Sequence, residues 1–257
     1  MRVISSSPAS LGDALVDAWR SGERIATPAP DQVPADAAGA CSIQHRLIAA
    51  CGGTIAAWKV GAKSSDGPIQ GAPLPSASCH ASGVALPRSR YRPLGLELEI
   101  GFRFGRRFAA DSAPYAEETV WAALSEMAAT IEIVSSRFHD WPEVPRLAQL
   151  ADLQNHGALI VGAAVPYRAD FPFAQPVLRW RCGDTPSAEP PDAANPAGDP
   201  RRLLPWLVNH CTQTCGLDLT PDMLITTGSY TGMVFMAHGG AVVGDIDGLP
   251  PVRLTLR

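Results

Sequence analysis

The sequence predicts an α+β fold, in which a small N-terminal part of helices and a strand precedes a larger body built mainly of strands. Two observations predict it. Apolar residues recur at helical spacing through the first fifty positions, and from Leu94 onward they alternate with polar ones at the two-residue period of strands. At 257 residues the chain can bury a sizeable core, with residues 1–75 as the N-terminal region and 76–257 as the main body. The composition is 46% hydrophobic and 18% charged, with a net charge of -4, which gives no reason to expect nucleic acid or an anionic membrane as partner. Every apolar run is interrupted before bilayer length, and the first twenty residues read as a cap and an amphipathic helix, so the cytoplasm is the default location.

Taken in order, Leu11, Leu15, Ala18 and Trp19 mark a helix that stops at Gly22, and Ile43, Leu47 and Ile48 mark a second over 36–50. TIAAWKVGAKS then reads as a strand with Lys59 at its centre, where the lysine either snorkels to solvent or enters a cleft and works as an acid or base. Residues 64–93, rich in Ser, Pro and Gly, read as loops with little regular structure, and His80 within them as either solvent exposed or functional. GLELEIGFRFGR is a strand, EETVWAALSEMAA over 117–129 a helix, TIEIV a short strand and HGALIVG a buried strand. Residues 183–200 read as a mobile surface loop; a helix and glycine-punctuated strands follow.

Chemistry enters with Glu97 and Glu99, which leave one face of their strand while Leu96, Leu98 and Ile100 leave the other. Two ionised carboxylates side by side resist burial, so the pattern is either the wet side of an edge strand or a site for a hard divalent cation. Glu132 likewise points away from Ile131 and Ile133. The six cysteines form no CxxC pair and are expected to be reduced. His210, Cys211 and Cys215 fall on one helix, but with no second Cys/His pair a packed helix is favoured over a zinc site.

The segments ACSIQHRL, AWKVGAKS, GLELEIGF, TIEIVSSRFHDW, LADLQNHGALIVG, GDPRRLLPWLVN and TTGSYTG, in this order, resemble the 2-keto-4-pentenoate hydratase and 2-oxo-3-hexenedioate decarboxylase family of the fumarylacetoacetate hydrolase superfamily. The resemblance implies a fumarylacetoacetate-hydrolase-like mixed β-roll catalytic domain behind a small N-terminal region, and self-association as a homo-oligomer. It implies Mg2+ or Mn2+ held by Glu97, Glu99 and Glu132, with Lys59, Asp152 and His80 as catalytic candidates and Ser229 and Thr231 at the substrate's carboxylate end. The activity it implies is hydration of a 2-hydroxy-2,4-dienoate to a 4-hydroxy-2-oxo acid. Alternatives are a 2-oxo-enedioate decarboxylase, an acylpyruvase-type C–C hydrolase, and an inactive small-molecule binder.

This sequence departs from the family pattern in places. CHASGVAL lacks the acidic residue that usually precedes the first metal strand, which makes His80 its candidate replacement; Ser135 stands where the family has Asp, and Leu153 where it often has Asn. GLPPVRL also lacks the usual glycine turn of the last hairpin.

Overall fold

The structure, a computed structural model, describes residues 10–51, 53–110, 112–183 and 193–257. Helix α1 (Leu11–Ser21) starts at Ser10, whose hydroxyl accepts from the Asp13 amide at 3.3 Å, and ends at Gly22, whose φ of 75° suits glycine. Helix α2 (Ala37–Ala50) starts at Asp36, whose carboxylate accepts from the Gly39 amide at 2.8 Å. Both lie where their apolar spacing predicts them.

Strands β1 (Ile55–Ala62), β2 (Ile69–Pro75), β3 (Cys79–Ala81) and β4 (Val84–Leu86) follow. Residues 64–93 therefore hold three strands instead of plain loops. Pro73 and Pro75 are tolerated in β2 because it is the edge of its sheet, where a missing N–H breaks no ladder. Next come β5 (Gly95–Phe104), α3 (Glu117–Trp121) and β6 (Leu124–Val134). The helix expected over 117–129 stops early, and its second half is strand. Pairing of β6 with β5, from Gly95 opposite Val134 to Phe104 opposite Leu124, overrides the helical preference of Leu, Met and Ala.

The remaining elements are α4 (Arg146–Ala151), β7 (His156–Val161), β8 (Val165–Pro166), β9 (Leu178–Cys182), α5 (Leu203–Asn209), β10 (Leu224–Thr226), β11 (Val234–Phe235), β12 (Gly240–Ile246) and β13 (Val252–Leu256). A π-turn over His210–Thr214 continues α5. The mobile loop expected over 183–200 lies in part outside the described residues, and the described part corrects it: Ala193, Asn195 and Ala197 are buried. Asn195 Nδ2 donates to the carbonyls of Thr227 and Gly228 at 2.9 and 3.1 Å, which ties this segment to the chain after β10.

Among the described residues, one sheet has nine strands, in the order β2-β1-β10-β5-β6-β7-β3, with β11 also on β5 and β8 on β6. A second has the order β4-β13-β12-β9. Pairing is antiparallel except at β1–β10, β3–β7 and β4–β13. Leu96, Leu98, Ile100 and Phe102 of β5 join Trp180, Val242 and Leu254 of the second sheet in the main core. A smaller core gathers Leu15 of α1, Leu47 of α2, Leu150 of α4 and Phe138. Residues up to 75 thus divide between two settings, with α1 and α2 in the small core and β1 and β2 in the large sheet.

Close strand packing yields a test. A Cβ at Gly162 would sit 2.7 Å from the backbone oxygen of Ala129, whereas one at Gly61 would meet nothing within 4 Å. Gly162→Ala is expected to lower unfolding free energy by about 1–3 kcal/mol in denaturant melts. Gly61→Ala should leave it unchanged or slightly higher.

Candidate active site

Alternation along β5 turns Glu97 and Glu99 away from the aliphatic core, and the antiparallel register sets Glu132 of β6 directly opposite Glu97. One carboxylate oxygen from each of the three lies within 4.8 Å of the others. They share a cavity of about 1250 Å3 with Lys59, Ser229 and Thr231. Six of the eight site residues proposed from the sequence therefore meet in one place.

Glu132 is fully buried, and its two oxygens have different surroundings. Oε1 accepts from Lys59 Nζ at 2.6 Å and lies 3.1 Å from His156 Nδ1, while His156 Nε2 is 2.9 Å from Ser78 Oγ. Oε2 is buried with no hydrogen-bond partner among the described residues. Glu99 Oε2 accepts from the Gly228 amide at 2.9 Å and from the Thr226 hydroxyl, which also lies 2.9 Å from Thr130 Oγ1. The loop after β10 is anchored to β5 as well: the Leu98 amide donates to Thr231 Oγ1 at 3.2 Å and the Tyr230 amide to the Leu98 carbonyl at 2.9 Å.

The charges do not balance within this cluster. Burial, followed by the charge of Glu132, raises Glu97 to about 7. The same two causes, with Glu97 added, raise Glu99 to about 8. Burial also opposes ionisation of Glu132, but the Lys59 ammonium and the His156 hydrogen bond outweigh it and hold this carboxyl below its ordinary value. Burial works against the charge on Lys59 too, and Glu132 and Glu97 more than offset it, so the lysine stays ammonium. Three acids facing one base, with a buried carboxylate oxygen left over, form an all-oxygen donor set that fits a hard divalent cation.

The backbone contributes a further partner. Leu153, Gln154 and Asn155 have φ of 49°, 53° and 59°, a run in the left-handed region that side chains disfavour by about 1–2 kcal/mol per residue. This turn presents the Gln154 carbonyl to Lys59 Nζ at 3.3 Å. It is held from behind by Arg137, whose backbone amide donates to Asp152 Oδ2 at 3.0 Å, whose Nη2 donates to the Asp152 carbonyl at 2.9 Å, and whose Nε contacts Oδ1.

Two expected site residues fall elsewhere. The carboxylate of Asp152 is buried against Arg137 and does not line the cavity, because the guanidinium beside it would otherwise be an unpaired buried charge. His80 lines a separate small cavity with Arg90, Arg92 and Arg137, because the pairing of β3 with β7 carries it to the far edge of the sheet from the carboxylates. The sequence reading assigned no role to Thr226 or Gln154. Their contributions depend on register and on a left-handed turn, and no spacing in the chain announces either.

Over 96% of both chains the fold superposes, at a TM-score of 0.81 and 18% identity, on 4-oxalocrotonate decarboxylase from Pseudomonas putida G7, complexed with magnesium and adipate. The chain has the fumarylacetoacetate hydrolase-like fold. Looser matches to this fold include 2-hydroxyhepta-2,4-diene-1,7-dioate isomerase from Mycobacterium marinum, with a TM-score of 0.56, 17% identity and coverage of 79% of this chain and 76% of that one. Another is 5-carboxymethyl-2-hydroxymuconate delta-isomerase from Mycobacterium smegmatis, with a TM-score of 0.55, 14% identity and 79% of each chain. No sequence-family model and no curated protein matches the chain.

Two outcomes follow from the charge distribution. Unfolded Glu97 and Glu99 titrate at the ordinary carboxylate value, so from there up to about pH 8 the folded, metal-free protein binds more protons than the unfolded chain, and its stability falls as pH rises. Glu132, shifted the opposite way, acts only below that window. A divalent cation displaces the protons, so the gain in Tm on adding Mg2+ should be larger at about pH 8 than at about pH 6, as read by thermal unfolding at constant ionic strength. Asp152→Ala should lower unfolding free energy by about 3–5 kcal/mol in chemical denaturation, because Arg137 is left buried without its partner.

Proposed function

We propose that this protein is a divalent-metal-dependent lyase acting on an enolisable 2-oxo acid, with water addition to a 2-hydroxy-2,4-dienoate as its reaction. The observation that carries the reading is the convergence of Glu97, Glu99 and Glu132 beside Lys59 in a cavity large enough for a small organic acid. Glu97, Glu99 and Glu132 would hold the cation, Mg2+ or Mn2+. A cation held there would supply Lewis-acid stabilisation of the negative charge that develops on the keto oxygen of a 2-oxo acid.

The protein's own groups do the rest. Lys59 has three donor directions, of which Glu132 and the Gln154 carbonyl take two, leaving one to give a proton to the substrate. Glu132 fixes the ammonium in place, and His156, pinned by Ser78, fixes Glu132. Ser229 and Thr231 line the cavity on a loop already bonded to β5, and their hydroxyls, which donate to the Gly232 carbonyl, would turn to meet the substrate's carboxylate. Glu99 is oriented by Thr226 and the Gly228 amide, which keep its second oxygen available.

A second reading, decarboxylation of a 2-oxo-enedioate, is favoured by a specific feature: Lys63 and Arg146 also line the cavity and supply positive charge for a second carboxylate. The superposition on a decarboxylase complexed with adipate, a dicarboxylate, supports the same reading. Both reactions need a proton moved on an electron-rich dienol, so they share the groups named above.

Purified protein assayed with 2-hydroxydienoates, 2-oxo-enedioates and acylpyruvates, with and without EDTA, tests the proposal. Turnover of a dienoate that EDTA abolishes is expected, carbon dioxide release from an enedioate would mark the second reading, and loss of acylpyruvate alone would overturn both. Glu132→Gln should abolish metal-dependent turnover while the melting transition persists. Lys59→Met should lower kcat by roughly 10²–10⁴-fold with metal affinity little changed in calorimetric titration.

A further inference from the structure

A second group of metal-binding side chains lies apart from the carboxylates, where the sequence reading favoured a packed helix. The π-turn over His210–Thr214 closes with a hydrogen bond from the Cys215 amide to the His210 carbonyl at 2.9 Å. In a regular α-helix residues five apart point about 140° from each other. The wider turn instead brings residue 215 back over residue 210, and such turns concentrate at functional sites. Cys41 of α2, 169 positions earlier, completes the group. Cys41 Sγ lies 3.6 Å and Cys215 Sγ 3.4 Å from the same atom, Nε2 of His210, and the three ligand atoms lie within 4.8 Å of one another.

These separations match a metal polyhedron. With Zn–S about 2.3 Å and Zn–N about 2.0–2.1 Å, tetrahedral angles put sulfur and nitrogen about 3.6 Å apart. One imidazole nitrogen carries either a single proton or a single lone pair, so it serves one thiol, and the other must turn to its fellow sulfur, a weak acceptor. A cation at the centre satisfies all three. The imidazole is also fixed in orientation, stacked on Trp206 with ring centroids 4.7 Å apart and set edge-on to Trp58 at 6.3 Å.

We propose that Cys41, His210 and Cys215 form a second metal site, for a thiophilic divalent ion of the zinc type, which ties α2 to the end of α5. Two sulfurs and a nitrogen select such an ion over Mg2+, just as three carboxylates select the reverse, so the two sites take different metals. The site joins the N-terminal helices to the large sheet at a point where α5 packs on β1.

Full-length protein, reduced, stripped of metal and held in excess Mg2+, is titrated with Co2+ as a spectroscopic probe. One equivalent is expected to bind with a thiolate-to-cobalt charge-transfer band, and Zn2+ should displace it. Cys215→Ser should remove the band and weaken Zn2+ binding by about 100-fold or more, beyond the loss that an outer partner of a metal ligand causes. Cys182→Ser and Glu132→Gln should keep the band, which separates this site from the carboxylates. Circular dichroism checks that Cys215→Ser is folded, and the wild-type titration decides the case if it is not. Absence of the band in the wild type, its survival in folded Cys215→Ser, its loss in Glu132→Gln, or a Cys41–Cys215 disulfide in protein purified without reductant would each overturn the proposal.

Discussion

The crowding of three carboxyl groups, two of them buried, around one lysine is the constraint on which the rest of the site depends. Carboxylates forced together in a low-dielectric setting must recruit protons or cations. Among the described residues, the cation bonded directly to this cluster is Lys59, and it pairs with Glu132. Glu97 and Glu99 are thereby left short of positive charge, and the surrounding hydrogen bonds are placed to orient carboxylates without neutralising them. The cavity is thus polarised before any ligand arrives, a form of preorganisation that costs folding stability and favours cation binding.

This arrangement accounts for several otherwise unrelated features. The gap along β5 between its partners β10 and β11 is bridged by the hydroxyl-rich loop through Tyr230 and Thr231, so the strand that carries Glu97 and Glu99 is bonded on both sides. On the other flank, the left-handed run at Leu153–Asn155 is tolerated because Arg137 and Asp152 lock it from behind. Asp152 therefore reaches Lys59 only through the backbone turn it stabilises.

Much of this could be read in the sequence because strands have a period of two. Alternation of Glu with Leu and Ile in LELEI and TIEIV gave the faces of Glu97, Glu99 and Glu132 correctly, and only their meeting required the resemblance to a known family. Where local preference and long-range pairing disagreed, the chain misled: LSEMAA favours a helix by composition, but β5 provides a partner along the whole of β6. Residues whose roles arise from tertiary register, such as Thr226, His156 and Gln154, carry no local signal. Asp152 matched a pattern by position and His80 was read as the replacement for a missing acid, and burial against Arg137 in one case and an outer strand in the other took them out of the cavity. Cys41 was invisible as a partner of His210 because the two belong to different helices.

One strand separates the two proposed metal sites. On β1, Trp58 packs edge-on to the His210 ring while its neighbour Lys59 faces the opposite way and meets Glu132. A chain that lost or gained one residue ahead of this pair would exchange indole for ammonium on both sides of the wall at once. Evolution can therefore vary side chains along this segment far more freely than it can vary its length.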